Sequence, residues 1–493
     1  MKRLSGMDAA FLYIETPAMH MHVVGTVVLD PSTMPGGYSF DRFREMVRER
    51  LHLLPPFRRR LVPVPLGMGH PYWVEDPDFD LDAHIIRVAV PSPGGMRELG
   101  GLVGNIASRP LDRDRPLWEM WVVEGLEKGR VAVVAKVHHS SIDGVSGADL
   151  MVHLFDLTPD AHPEPATTEW HPEPVPAQWR LVPAALVSQL TRPVGLAATS
   201  LQTATGLVRH QLERRSQRDG APGGRRQGPP TPFNGAITPH RSVAYGRVSL
   251  EDVKATKDAT GTKVNDVVLA ACTMSLREWL RAHDALPDRP LVAACPMAVP
   301  QDPSSERVTN AMTIITALLP VHVEDPLDQL RLVHEDTTRA KRSSKAFGVD
   351  VLQAWAQYTS PNLVSAAMRV YSNLGLADRH DPIANLIVSN VPGPPLPLYC
   401  AGARVDAVYP MGPLIEGIGL NLTVLSNMGN VDFGVIACRE LVPDVWDVAT
   451  GFEAAVARLR EAAGVAKPNR KPPVKKTAKR ATTRRAARRS PSA

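Results

Sequence analysis

The sequence predicts an α/β protein with mixed sheets, built as two domains of similar size joined by a long crossover. Three observations carry this. The chain has 493 residues, more than a single core of ordinary size accommodates. Strand-like and helix-like segments alternate in two blocks, residues 1–157 and 241–466, a pattern of mixed layers. Between the blocks the composition changes. Residues 158–176 contain six prolines and residues 216–232 are rich in Gly, Pro and Arg, so residues 158–240 read as a linker that carries a crossover helix over 181–214.

In the first block, His22–Leu29 is a β-branched run and reads as a strand. Phe40–Leu54 sets Phe40, Phe43, Met46, Val47, Leu51 and Leu54 at helical spacing between charges. Val131–Val137 reads as a strand, followed after a turn by a helix around Ala148–Leu157. The second block reads as strand Ser242–Val248, helices Leu250–Asp258 and Asn265–His283, then strands Leu291–Met297, Met312–Pro320, Asn385–Asn390, Gly419–Ser426 and Val431–Ala437. A last helix fits Val445–Ala463.

The formal net charge of +5 belongs to one end of the chain. Residues 467–493 hold 11 Lys/Arg and no acid, leaving 45 basic against 51 acidic residues in 1–466, net −6. The tail has no apolar periodicity and reads as disordered, either as a solubilising end, as an anchor to an anionic membrane surface, or as a non-specific nucleic-acid contact. The acidic body argues against specific nucleic-acid recognition. Cys272, Cys295, Cys400 and Cys438 form no CxxC pair and read as reduced, buried thiols. Asp8 and Glu15 interrupt any leader-like apolar run, and no stretch approaches 18 apolar residues. A cytoplasmic, soluble or peripheral protein is the expectation.

The stretch that carries chemistry is Val131 to Gly144, an apolar strand that runs into His138-His139 and then Ser140-Ser141-Ile142-Asp143-Gly144. Consecutive strand residues face opposite ways, so the two imidazoles do not share one ligand, and no metal site is read here. A histidine at the end of an apolar wall is a candidate general base, since its ordinary pKa leaves it largely neutral near pH 7. The plain alternative is a strand end followed by an Asp-Gly turn. Gly144-Val-Ser146-Gly147-Ala148 lacks the last glycine of a nucleophile elbow, and HExxH, GxxxxGK and GxGxxG patterns are absent. His20 and His22 read as packing or channel-lining residues.

His138-His139-x-x-x-Asp143-Gly144 resembles the HHxxxDG signature of CoA-dependent acyltransferases and peptide-synthetase condensation domains. Further stretches narrow the likeness. Leu4-Ser-Gly-Met-Asp8-Ala-Ala-Phe-Leu-Tyr-Ile-Glu15, then Met21-His22-Val-Val-Gly25, resembles the opening of bacterial wax ester synthase/diacylglycerol acyltransferases. So do Arg115-Pro116-Leu117-Trp118, Val264-Asn265-Asp266 and Ser389-Asn390-Val391-Pro392-Gly393-Pro394, and the likeness runs from about residue 4 to 460.

The resemblance implies two chloramphenicol-acetyltransferase-like domains with an active-site tunnel at their interface. It makes His139 the catalytic base, with His138, Asp143 and Gly144 supporting the motif. Asn265 and Asp266 are read two ways, as a helix N-cap and first-turn acid or as substrate-binding groups near the thioester carbonyl. Ser389, Asn390 and Gly393 are candidate substrate-channel residues. Pro116-Leu117-Trp118 reads as core packing or tunnel wall, and Arg58-Arg59-Arg60 as a solvated run or a contact for CoA phosphates.

Relatives usually carry an Arg where this chain has Gln301. The implied reaction moves a long-chain acyl group from acyl-CoA to diacylglycerol or a long-chain alcohol, without cofactor or metal, at a membrane face or lipid inclusion. Two alternatives stand beside it: a condensation-like enzyme with a carrier-protein donor, and a non-catalytic lipid-binding relative.

Overall fold

A computed structural model describes residues 1–141, 153–160, 170, 172, 174–183, 186–187, 227–298, 312–344 and 360–466. Its strands are β1 (Lys2–Arg3), β2 (His22–Asp30), β3 (Arg59–Val62), β4 (Tyr72–Glu75), β5 (Ile85–Ala89), β6 (Trp118–Glu124), β7 (Val131–His138), β8 (Arg241–Ser249), β9 (Leu291–Ala298), β10 (Met312–Leu319), β11 (Leu386–Val391), β12 (Tyr399–Cys400), β13 (Ala403–Met411), β14 (Leu420–Asn427) and β15 (Asn430–Cys438). Its helices are α1 (Gly6–Tyr13), α2 (Phe40–Arg50), α3 (Met96–Ala107), α4 (Leu250–Thr260), α5 (Val264–Ala282), α6 (Pro326–Ser344), α7 (Pro361–Asn373) and α8 (Val445–Ala462).

Two six-stranded sheets organise the molecule, in the orders β12-β13-β2-β7-β6-β5 and β10-β9-β11-β14-β15-β8, beside a small sheet β1-β4-β3. Both large sheets are mixed: β5 runs parallel to β6, and β11 runs parallel to both β9 and β14. The expected two-domain α/β architecture is therefore present. Its halves are interleaved, because β12 and β13 come from the second block yet close the first sheet, with β13 antiparallel to β2.

Burial explains the sequence pattern of β7. Val131, Val133 and Val137 enter one apolar cluster with Phe43, Met46 and Val47 of α2, whereas Ala132 and Val134 enter another with Leu99, Val103 and Ile106 of α3. A central strand covered on both faces reads as a continuous apolar run. The second sheet is covered by α5 and α8, which share its largest cluster.

The two sheets meet along a tight seam. Gly100 and Gly104 of α3 approach the β8 backbone so closely that an added Cβ would lie 2.6 Å from the Val243 and Arg241 carbonyl oxygens respectively. Across the same seam, Val408 of β13 donates its N–H to Asp432 Oδ2 of β15 at 3.0 Å. The Asp432 carboxylate also takes the Arg247 guanidinium at 2.5 Å. The four cysteines are buried thiols, none of them joined in a disulfide among the described residues. The expected tail, most of the linker and crossover helix, and residues 148–152 of the expected helix lie outside the described residues.

Candidate active site

The site is built on the end of β7. His138 pairs with His22 across the ladder, and the chain then turns through the short helical turn His139–Ser141. Three main-chain N–H groups fix this turn: His138 N–H donates to Leu117 O at 2.9 Å, His139 N–H to Met21 O at 2.8 Å, and Ser140 N–H to the His138 ring Nδ1 at 3.1 Å. Ser141 Oγ closes it onto the His138 carbonyl at 2.8 Å. The Pro116-Leu117-Trp118 motif thus acts through its backbone. The Leu117 carbonyl pins the histidine strand, while Trp118 is locked by an indole N–H bond to Phe57 O at 2.8 Å and by stacking on Phe57 and His84.

The two histidines occupy different surroundings. A main-chain N–H can only donate, so the bond from Ser140 makes His138 Nδ1 an acceptor and leaves the ring hydrogen on Nε2. That nitrogen faces Glu15, whose Oε2 lies 3.7 Å away, an electrostatic contact longer than a hydrogen bond. Burial raises the Glu15 pKa, but His138 and then Arg113, which pairs with the same carboxylate, outweigh it and hold it at about 2. Glu15 is therefore a fixed anion behind the histidine turn.

His139 is only partly exposed and stacks on Phe11 with ring centroids 4.2 Å apart. Burial, and next the proximity of His138, push its pKa down to about 4, opposed by a hydrogen bond to its own main chain. At neutral pH it is an uncharged imidazole, the form that accepts a proton.

The opening segment now has a physical role. Ser5 caps α1 by accepting the Asp8 N–H at 3.1 Å, and its hydroxyl donates to Asp8 Oδ2 at 2.6 Å. The helix so fixed places Phe11 against His139, and Glu15, two residues past its end, against His138. Helix α7, from the other half of the chain, packs on α1.

The candidate residues of the second block form two groups. Asn390, at the end of β11, donates Nδ2–H to Asn265 Oδ1 at 3.3 Å, joining two motifs that are far apart in sequence. Val391 packs on the cluster that holds Val137, two residues before His139, so this strand end abuts the first sheet. Gly393 is required by close approach, since a Cβ there would lie 2.1 Å from Ser426 O. Ser389 lies on β11, half-buried.

Asn265 is not the N-cap of α5, a position that belongs to Lys263. Asp266 is fully buried, and its carboxylate is engaged by Lys263 N–H at 3.0 Å, His334 Nδ1 at 2.6 Å and Thr337 Oγ1 at 2.8 Å. It anchors α6 to α5. Asp143, Gly144 and Gln301 lie outside the described residues.

His20 and His22 are buried and stack on each other, with Nε2 on the carbonyls of Ser108 (3.2 Å) and Ala107 (3.0 Å) at the end of α3. Arg60 pairs with Asp76 at 3.5 Å, and Arg58 covers the Trp170 ring. Among the described residues, no three His, Cys, Asp or Glu side chains are grouped to hold a metal ion.

Two family models match this chain. The wax ester synthase/diacylglycerol acyltransferase catalytic domain covers residues 4–268, and the WS/DGAT C-terminal domain covers residues 308–460. A protein of Mycobacterium tuberculosis (strain CDC 1551), provisionally named a diacylglycerol O-acyltransferase, is 42% identical over 463 residues, 94% of this chain and 90% of the relative. A second protein of that strain, with the same provisional name, is 39% identical over 94% of this chain and 97% of its own length.

Among solved structures, the wax ester synthase/diacylglycerol acyltransferase from Marinobacter aquaeolei VT8 superposes with a TM-score of 0.66 at 29% identity, covering 94% of this chain and all of that one. The first condensation domain of the calcium-dependent antibiotic synthetase shares the fold, with a TM-score of 0.52 at 14% identity over 94% of this chain and 96% of that domain.

Proposed function

The chain belongs to the wax ester synthase/diacylglycerol acyltransferase family and is an acyltransferase, and from that premise we propose that it moves a long-chain acyl group from acyl-CoA to diacylglycerol or a long-chain alcohol, with His139 as general base. The observation that carries the proposal is the His139 imidazole, stacked on Phe11 and partly exposed on a turn pinned by main-chain hydrogen bonds, with burial favouring its uncharged form. His139 takes the proton of the acceptor hydroxyl as that oxygen attacks the thioester carbonyl. The tetrahedral intermediate collapses with cleavage of the C–S bond, and the imidazolium returns the proton to the departing thiolate. The products are an ester and free CoA, and no covalent enzyme intermediate, metal or cofactor is required. Donors for the oxyanion are part of the proposal, with Asn265 the candidate side chain.

The test is CoA release from palmitoyl-CoA with diacylglycerol or hexadecanol, for the wild type and His139→Ala. General-base catalysis contributes about 10²–10⁴-fold, and a loss of that size in a folded variant is expected. A well-folded wild type that releases CoA with neither acceptor would overturn the reading and bring forward a carrier-bound donor or lipid binding without catalysis.

A further inference from the structure

Large apolar side chains exposed singly are ordinary on a protein surface, whereas a contiguous group marks a contact. Helix α7 carries such a group. Leu363 is 69% exposed and Val370 53% exposed, and Leu374, just past the helix end, is 55% exposed. Their spacing places them on one stripe, with the exposed Ala366 and Ala367 between them. The opposite side faces inward, where Met368 packs into the cluster at the seam. The face turned to solvent is thus the apolar one, the reverse of an ordinary surface helix.

The apolar surface continues beyond α7. Asn362 Nδ2 donates to the Leu66 carbonyl at 2.7 Å, and the Leu66 side chain is 84% exposed. The turn that carries Leu66 packs against the turn Gln178–Leu181, where Trp179 is 69% exposed. Exposed arginines accompany it: Arg369 on the flank of α7, Arg379 beyond its end, and Arg180, whose guanidinium lies 5.4 Å from the Trp179 ring centroid. Among the described residues, no carboxylate pairs with any of the three.

We propose that this belt docks the enzyme on a lipid surface carrying anionic headgroups, with the α7 stripe and Trp179 inserted and the arginines at headgroup level. Apolar insertion combined with basic attraction is how amphipathic helices bind interfaces, and indole rings favour that depth. The position of the belt fits the occupant. Helix α7 packs on α1, whose Phe11 stacks on His139, so the docked face adjoins the candidate site where a lipid-dissolved acceptor must arrive. This rests on the proposed reading that the acceptor is a lipid.

The test compares the full-length wild type with the triple variant Leu363→Ser, Val370→Ser, Leu374→Ser. Cosedimentation is measured with phosphatidylcholine vesicles, with and without phosphatidylglycerol, beside CoA release from a short-chain acyl-CoA to a water-soluble alcohol. The wild type is expected to bind, more strongly with phosphatidylglycerol, and the triple variant to bind about tenfold or more weakly with unchanged turnover of the soluble pair. Equal binding by both proteins overturns the proposal. So does binding that vanishes on deletion of residues 467–493 and ignores the triple change. A wild-type dimer that the variant dissolves, without vesicle binding, also overturns it and identifies a self-association face. If binding differs as expected while neither protein releases CoA, the docking surface stands and the acyl-transfer reading fails.

Discussion

A general base must be uncharged when substrate arrives, and His139, proposed for that role, stays uncharged well below the pH at which free histidine takes up its proton. Burial and the neighbouring His138 depress its pKa to about 4, so the active form is complete at neutral pH and is lost only as pH falls through about 4. The acid limb of kcat/KM is therefore expected near pH 4 to 5, and a limb centred at about 6.5 would show that the controlling group is an exposed histidine. On the proposed mechanism, Glu15 would act through His138, which it faces at 3.7 Å, as a positioning residue. Glu15→Gln leaves the His138 Nε2–H facing a neutral amide, so kcat should fall by about tenfold with KM unchanged, on the scale of losing one charged contact. Glu15→Asp should recover part of the loss. A Glu15→Gln enzyme with wild-type kcat would remove Glu15 from the machinery.

At the scale of elements, α3 shows how packing overrides local preference. It contains Gly100, Gly101 and Gly104, poor helix formers, yet two of these glycines allow it to lie against β8. An alanine at 100 or 104 would drive a Cβ to 2.6 Å from a carbonyl oxygen, whereas at 101 it meets nothing within 4 Å. Overpacking costs about 1–3 kcal/mol, so Gly100→Ala and Gly104→Ala should each lower the thermal midpoint, while Gly101→Ala should leave it equal or raise it. Three equal midpoints would mean that the seam is looser than described.

The same helix marks where sequence reading stops. Runs such as β2, β7, β14 and β15 were legible because apolar periodicity is local, and the histidine pair was legible because its residues are adjacent. Helix α3, with three glycines, and β13, with Asp406 and Pro410 inside it, carry weak local signals and are specified by their partners. Phe11 and Glu15 meet the histidines only through the docking of α1 on the β7 turn, a tertiary event that no spacing announces. Asn265 read as an N-cap because of its type, but the chain enters α5 two residues earlier, which frees its side chain for Asn390.

At the scale of the whole molecule, interleaving of the two halves makes the histidine turn depend on the seam. β2, which pairs with the histidine strand, is flanked on its other side by β13 from the second block, so the first sheet is complete only with strands from the second half of the chain. Buried nitrogen groups gather where these halves meet. Arg241, at the start of β8, donates to the Ala18 carbonyl at 2.6 Å, and His20 and His22 hold the end of α3.

The folded protein keeps these histidines neutral. Burial first, then Arg241, lowers His20 to about 4; burial first, then Lys136, holds His22 well below its ordinary value. Burial likewise lowers His84 and His139. In the unfolded chain each protonates near its ordinary pKa of about 6.5. For His20 and His139, between that value and about pH 4 the unfolded state binds more protons than the folded one, so stability rises with pH and falls on acidification, by up to about 1.4 kcal/mol per pH unit for each of the two; His22 and His84 act in the same direction. Because the first sheet draws strands from both halves of the chain and the two sheets meet along one seam, this loss should appear in a single cooperative transition. Denaturant titrations at pH 7.5 and pH 5, followed by both fluorescence and far-UV circular dichroism, test both points. The expected result is coincident curves at each pH with a lower midpoint at pH 5. An unchanged midpoint would mean that the seam histidines are already charged in the folded protein, and two separated transitions would mean that the halves unfold independently despite the two strands that the second block lends to the first sheet.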